Sequence, residues 1–292
     1  MTGVGPVVVV GGINADLKAR TSAPLVPGTS NPGTATLTPG GVGRNVAENL
    51  ARLGTPVALV GVVGEDTMGT LVLEATAAAG VDVAAVRRRP GPTGSYTALL
   101  DHRGELVAGV ADMSATDDLA PVDVPPALVA SAALLVLDGN LRVDTFAAAR
   151  ELARAAGVPV VVDPVSVPKA TRLAPELRDL RCVTPNAEEL VALGGAAVLH
   201  AQGCALVWER LGAAGSRLHV AGSPPVEVAV GVLEAEVVDV TGAGDAMLAA
   251  WCHAVLGGAG DAEAAAYAQE AAALTVASPL TVRPDLREML AR

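Results

Sequence analysis

The sequence predicts an α/β fold: a single domain over residues 1–292, with a mainly parallel central sheet between helices and a small separate β sheet. Three observations predict it. From Ala132 onward, strand-like and helix-like segments alternate with the regularity of a parallel sheet covered on both faces. Two glycine-rich turns, at 40–43 and 242–244, each lead directly into a helical pattern. Two β-type runs, Thr93–Leu100 and Glu105–Val110, are joined by Asp101-His102-Arg103-Gly104 with no helix between them, which reads as a hairpin.

The elements follow in chain order. Val7–Val10 is a buried strand entering the Gly11-Gly12 turn, with Asn14 and Asp16 just beyond it. Spaced by two, both side chains fall on one side of an extended segment, either as an Asx turn or as polar groups offered to a ligand. Residues 18–39 are rich in Pro, Gly, Ser and Thr and lack a helical period. With the 93–111 hairpin, the segment at about 15–38 is expected to form the separate sheet. From Arg44 the apolar positions Val46, Ala47, Leu50, Ala51 and Leu53 keep helical spacing, and Gly54 stops the helix. Pro56–Val63 and Glu65–Gly80 form a strand and a helix with Asp66 as N-cap. Then come a strand at Leu134–Asp138, a helix at Val143–Ala156 ending on Gly157, a strand at Val158–Asp163, a helical stretch at Lys169–Leu180 and a strand at Cys182–Thr184. The connection from Leu193 to Ala205 is short for a full helix. Helices at Asp261–Ala277 and Pro284–Leu290 close the chain.

Composition excludes several classes. Apolar residues are 51% of the 292, so a large core is easily supplied, but aromatic residues are only 2% and stacking platforms for nucleic acid are missing. The net charge of −11 argues against nucleic acid or an anionic membrane as partner. Lys18 and Lys169 are the only lysines. Cys182, Cys204 and Cys252 are widely spaced and suggest neither a disulfide framework nor a zinc site. The N-terminus has no basic region, and Val7–Val10 is too short for a signal core or a membrane span, so a cytoplasmic protein is expected.

The chemistry concentrates in Asp239-Val240-Thr241-Gly242-Ala243-Gly244-Asp245. Glycines at 242 and 244 let the backbone turn sharply and present N–H groups at the positive end of a helix, which makes an anion site. Asp245, in the first helical turn, is placed to deprotonate a hydroxyl while the turn stabilises a transferring phosphoryl group. The second bare loop, Gly40-Gly41-Val42-Gly43, allows close approach of a ligand to the backbone, with Asn45 in the helix that follows. Asn186 and Glu189, at a strand-to-helix turn, read either as an N-cap with its capping-box partner or as a metal-arranging pair.

These two signatures resemble those of the ribokinase-like sugar kinases, the PfkB family. The resemblance implies a ribokinase-like three-layer sandwich, ATP and Mg²⁺ as cofactors, and a β lid over the sugar that often mediates dimerisation. It makes Asp245 the general base and Gly242, Ala243 and Gly244 the anion hole. Gly41 and Asn45, with Asn14 and Asp16 beside them, would hold sugar hydroxyls. Asn186 and Glu189 would arrange Mg²⁺ at the phosphates, Asp239 fits the family's position for a monovalent cation such as K⁺, and Thr241 and Lys169 lie on the cofactor side. Gly212 and Gly215 match the spacing of the nucleotide loop, although Glu209 and Arg210 stand where small or hydroxylated residues are common.

A narrower resemblance is to the branch of the family that phosphorylates pseudouridine. It rests on Ser30-Asn31-Pro32-Gly33, the stretch from Thr38 to Ala51, Ala111-Asp112-Met113, Val162-Asp163-Pro164-Val165-Ser166 with Lys169, and Thr241–Met247. It implies transfer to the 5′-hydroxyl of pseudouridine, with Ser30, Asn31, Thr93, Ser95 or Asp112 near the base. Another sugar or nucleoside kinase, ribokinase- or adenosine kinase-like, is the alternative, and a non-catalytic sugar- or nucleotide-sensing protein a further one.

Overall fold

The structure is a computed structural model that describes residues 5–230 and 236–291. In chain order the strands are β1 Val7–Val10, β2 Asn14–Thr21, β3 Gly33–Gly40, β4 Val57–Gly64, β5 Val86–Arg89, β6 Gly94–Leu100, β7 Leu106–Asp112, β8 Leu134–Asp138, β9 Val160–Asp163, β10 Cys182–Val183, β11 Leu206–Arg210, β12 Ser216–Val220 and β13 Val226–Val228. The helices are α1 Val42–Leu53, α2 Thr67–Ala78, α3 Ser114–Asp117, α4 Pro126–Ala130, α5 Val143–Ala156, α6 Val167–Leu173, α7 Ala187–Ala192, α8 Ala196–Ala201, α9 Ala243–Leu256, α10 Asp261–Val276 and α11 Leu286–Leu290.

Nine strands form the central sheet in the order β13-β12-β11-β10-β9-β8-β1-β4-β5. It is parallel from β5 through β11, and β12 and β13 close one edge antiparallel. The alternation along β1 shows why the chain needs two helical layers. Val7 and Val9 enter a core built with α1, α9 and α10, while Val8 and Val10 enter a second core built with α5, α6 and α8. The chain moves outward from β1 to β4 and β5, then returns to β8 on β1's other side and runs out through β11. Strand order therefore reverses between β1 and β8, and the crevice beyond their carboxyl ends is where open α/β sheets bind ligands.

A separate four-stranded sheet, β3-β2-β6-β7, lies off this edge. β2 pairs antiparallel with β3 and parallel with β6, and β6 pairs antiparallel with β7. β7 is an edge strand exposed along its whole length, with Leu106, Val107 and Val110 facing solvent.

The expected elements form with shifted ends. The stretch expected to be helical over 169–180 breaks after Leu173, where Ala174–Glu176 tightens into a 3₁₀ turn around Pro175. A strand over 182–184 ends at Val183, two residues before Pro185. The short connection from Leu193 to Ala205 accommodates the six-residue α8. Strands β5, β12 and β13 lie outside the expected elements: the charged run Arg87-Arg88-Arg89 hides β5, and β12 and β13 continue from β11 as successive antiparallel hairpins. No helix among the described residues is long and apolar enough to cross a membrane.

Candidate active site

The site is assembled from strand ends. Asp138 ends β8, Asp163 ends β9, Asn186 follows β10, Arg210 ends β11, and the Gly11-Gly12 turn follows β1. Asp138 is the anchor. One carboxylate oxygen accepts from the N–H of Gly12 and of Gly43, both at 2.8 Å, and the other from the N–H of Asn140 at 2.8 Å. The two glycine turns are thereby fastened to one buried side chain. Burial pushes the Asp138 pKa up, against the pull of those N–H groups.

Gly41 leads into α1 at φ +94°, and a Cβ there would run into the backbone carbonyl of Gly12. Two residues into α1, Arg44 is almost fully buried and ion-paired with Glu48. Its guanidinium also donates to Asn45 Oδ1, and Asn45 Nδ2 donates to Asp245 Oδ2 at 2.7 Å. Because Oδ1 is occupied by a donor, the amide can present only its NH₂ to Asp245.

Asp245 sits in the first turn of α9, buried to 8% exposure. Burial is the largest influence on its carboxyl. The Asn45 bond and Arg210 favour the charged form, Asp163 and Asp138 oppose it, and the pKa is pushed up to about 7. That value suits a base working near neutrality. The turn before it is set by Gly242 at φ +82°, where a side chain would strike Thr281. The Ala243 N–H reaches the Val240 carbonyl at 3.3 Å, whereas among the described residues nothing accepts from the N–H of Gly242 or Gly244. Those two donors face the open end of a fourteen-residue helix. Trp208 of β11 packs on Trp251 of α9 with ring centroids 6.0 Å apart, which fixes the strand carrying Arg210 against the helix carrying Asp245.

On the small sheet, Asn14, Asp16 and Lys18 share one face of β2. Asn14 is buried with its Nδ2 on Met113 Sδ at 3.3 Å and its Oδ1 without a partner. Asp16 is buried without a hydrogen bond among the described residues, and burial raises its pKa against the pull of Arg44 and Lys18. Both buried groups therefore keep hydrogen-bonding capacity that no neighbour among the described residues fills. Lys18 crosses to the turn before α9 and donates to Asp239 Oδ2 at 2.6 Å, with Thr241 Oγ1 at 3.4 Å. Asp239 Oδ1 accepts from the Thr241 N–H at 2.9 Å.

Asn186 and Glu189 form the capping box of α7: Asn186 Oδ1 accepts from the Glu189 N–H at 2.8 Å, and Glu189 Oε2 from the Asn186 N–H at 2.9 Å. Glu189 is buried, which raises its pKa, and its Oε1 carries no hydrogen bond among the described residues. That oxygen is a hard donor suited to Mg²⁺. Among the described residues no group of three or more acidic, histidine or cysteine side chains forms a cage, and Asp239 is paired instead with Lys18. A magnesium ion here would rest on one or two protein groups and keep phosphate and water for the remainder, as its coordination allows.

Several expected positions fall elsewhere. The Thr93 hydroxyl donates to Asp66 Oδ1 at 2.6 Å and accepts from the Gly64 N–H at 3.0 Å, so it ties the strand ends to the cap of α2 rather than facing a ligand. Ser95 pairs with Ala15 and Asp112 across the small sheet, which puts both on the face opposite to Asn14 and Asp16. Asp112 accepts from the Ser114 N–H at 3.0 Å. Asn31 is engaged with Val26 and Thr29 inside the turn between β2 and β3, and Ser30 is exposed beside it. Lys169 reaches the buried Asn140 Oδ1 at 2.5 Å, next to Asp138, and burial lowers its pKa. Gly212 and Gly215 shape the turn after β11 at φ +58° and +94°. Glu209 there is bound by His219 and Arg217, at 2.9 and 3.2 Å.

Residues 5–288 match the profile of the pfkB family carbohydrate kinases. The chain belongs to that family. As a PfkB kinase it is a phosphotransferase with an alcohol acceptor, a small sugar or nucleoside, on a ribokinase-like fold whose members use ATP and Mg²⁺. It is 32% identical to the pseudouridine kinase of Escherichia coli, over 96% of this chain and 93% of that one. Among solved structures, a carbohydrate kinase from Agrobacterium tumefaciens superposes with a TM-score of 0.86 at 31% identity, covering 99% of this chain and 96% of that one. Arabidopsis thaliana ribokinase, solved with ribose and ATP, does so with a TM-score of 0.86 at 28% identity, covering 99% of this PfkB kinase and 100% of its own chain.

Proposed function

We propose that this PfkB kinase transfers the γ-phosphoryl group of ATP to the 5′-hydroxyl of pseudouridine. The observation that carries the mechanism is Asp245, a buried carboxyl tuned to about 7, held by Asn45 in the first turn of α9 beside the open N–H groups of Gly242 and Gly244. Ribose hydroxyls bind Asp16, Asn14 and the Gly41 backbone, and the 5′-oxygen points at Asp245. Asp245 takes the hydroxyl proton as the new O–P bond forms and the bond to the β-phosphate oxygen breaks, releasing ADP. The N–H groups of Gly242 and Gly244 hold the charge of the transferring group. Glu189, with Asn186, would hold Mg²⁺, which supplies neutralisation of phosphate charge when bound.

The small sheet acts as a lid: Lys18 spans from β2 to Asp239 and Thr241, and closure excludes water from the transfer. Its ammonium occupies the Asp239 carboxylate that a monovalent cation would otherwise use, which favours turnover without added K⁺.

The pseudouridine assignment is supported by the E. coli relative, and the ribokinase likeness supports a simpler sugar as the second reading. Initial rates of ADP release with ATP and Mg²⁺ separate them, using pseudouridine, uridine, cytidine, adenosine, ribose and fructose as acceptors. Pseudouridine is expected to give the highest kcat/KM by at least about tenfold, the margin that one matched set of buried hydrogen bonds supports. Preference for ribose or fructose would overturn the substrate, and ADP release with none of the six would overturn the mechanism.

The exposed edge strand β7, with Leu106, Val107 and Val110, suits pairing with a second copy of this chain through the lid. Sedimentation velocity is expected to show a dimer that Val110→Lys converts to monomer. A wild-type monomer at tens of micromolar would contradict this.

A further inference from the structure

Arg210 is fixed where the phosphate-type turn, the capping box and the end of β9 converge. Its N–H donates to the Pro185 carbonyl at 2.8 Å and its backbone pairs with Asn186, so it is tied to the turn that carries Glu189. The guanidinium donates to both oxygens of Asp163, at 3.0 and 3.2 Å, and lies 4.0 Å from Glu189 Oε2. A Cβ added to Gly244 would come within 2.8 Å of Arg210 Nη1, so the guanidinium covers the second glycine of the turn.

This is an unusual place for a cation. The N-terminus of a long helix repels positive charge, and burial also works against the guanidinium. Asp163, Glu189 and Asp245 outweigh both and hold the arginine firmly charged. The guanidinium thus lies over the unfilled backbone N–H of Gly244, and the carboxylates of Asp163, Glu189 and Asp245 balance its charge. A phosphate group is tetrahedral, but any edge of it offers a guanidinium the same pair of acceptor oxygens as Asp163, with more charge.

We propose that Arg210 is a catalytic residue of the phosphoryl transfer: its guanidinium exchanges an Asp163 oxygen for the β- and γ-phosphate oxygens of ATP lying over Gly244. At rest it neutralises the crowded carboxylates, and in the loaded site it holds charge that builds on the transferring group. It neither gains nor loses a proton. The exchange needs little movement, since the side chain already touches the turn. Asp163 is the positioning residue that keeps the guanidinium aimed there. The inference rests on the turn being the phosphate site, as set out above.

Calorimetric titration in Mg²⁺ tests it, with β,γ-imido-ATP, AMP and pseudouridine as separate ligands for wild type, Arg210→Met and Arg210→Lys. The methionine variant is expected to lose about tenfold to a hundredfold in affinity for the imido-ATP, the range of a charged hydrogen bond. AMP and pseudouridine should bind within about twofold of wild type, because neither reaches the turn with a β- or γ-phosphate. Turnover should fall about 10²- to 10³-fold in the methionine variant. Lysine should restore part of the affinity through its charge but less of the turnover, since it lacks the two-pronged geometry.

Unchanged imido-ATP affinity and turnover in Arg210→Met would overturn the proposal and leave Arg210 a counter-ion for Asp163. Equal losses for all three ligands with a lowered melting temperature would overturn it too, in favour of a structural role. A wild-type protein that fails to bind imido-ATP would instead overturn the reading of the turn itself.

Discussion

Replacing Asp245 by Asn is expected to lower kcat by about 10²- to 10⁴-fold, the range for loss of a positioned general base, with nucleoside and ATP affinities close to wild type. Asn keeps the shape and an oxygen for Asn45 Nδ2, so binding geometry survives while proton transfer does not. The pH dependence follows from the raised pKa. Activity of the wild type requires the carboxylate, so the rate should rise with pH through about 7 and then level, and the mutant should lack that limb. Stability runs the opposite way. Between the ordinary aspartate value and about 7 the folded state holds a proton that the unfolded chain has lost, so stability declines as pH rises through that window. The decline from this group is at most about 4 kcal/mol, at 1.36 kcal/mol per unit. Asp245→Asn should therefore melt higher than wild type at pH 8 and show little gain at pH 4. A melting point lowered at pH 8 would contradict this balance.

The second large effect is structural. Asp138→Ala removes the acceptor of three N–H groups, those of Gly12, Gly43 and Asn140, from an interior that offers them no water. The cost is on the order of 3 kcal/mol or more, because each orphaned buried donor loses its solvation without replacement. Urea titration should show the midpoint fall sharply. Asp138→Asn keeps one carbonyl oxygen, which can still accept from the N–H of both Gly12 and Gly43, so its loss should be smaller and confined to the Asn140 N–H left facing an NH₂ group. Equal stability of Asp138→Ala and wild type would mean that the turns hold their shape unaided.

Much of this site is legible in the sequence, and the reason is local. Gly242, Gly244 and Asp245 lie within one turn and the helix it opens, as do Gly41 and Asn45, so backbone freedom and helix polarity place them before any long-range contact is known. The capping box of Asn186 and Glu189, one of the two readings their spacing allows, is local in the same way and forms in the structure. What is illegible depends on pairing between distant segments. Ser95 and Asp112 look suitable as base contacts until the register of β6 on β2 and β7 turns both to the other face. Thr93 looks like a lid hydroxyl until Asp66, 27 residues away, is seen to hold it. Asp138 reads only as the end of a strand, and its clamp on two loops 126 and 95 residues distant leaves no mark in spacing. Arg210 stands out in the sequence only as a misfit in a glycine loop, and the carboxylate that engages it comes from β9. Lys18 is one of two lysines in an acidic chain, yet its partner Asp239 is 221 residues on.

The account's central claim is transfer from ATP to the 5′-oxygen of pseudouridine by Asp245. Its most direct test is phosphorus NMR of the product formed from pseudouridine, ATP and Mg²⁺ at pH 8. The account predicts one phosphomonoester coupled to the two 5′-protons of the ribose, formed one for one with ADP and at least about a hundredfold more slowly with Asp245→Asn. Phosphate on another hydroxyl, ADP without a nucleotide product, or the same product formed by the mutant at the wild-type rate would contradict it.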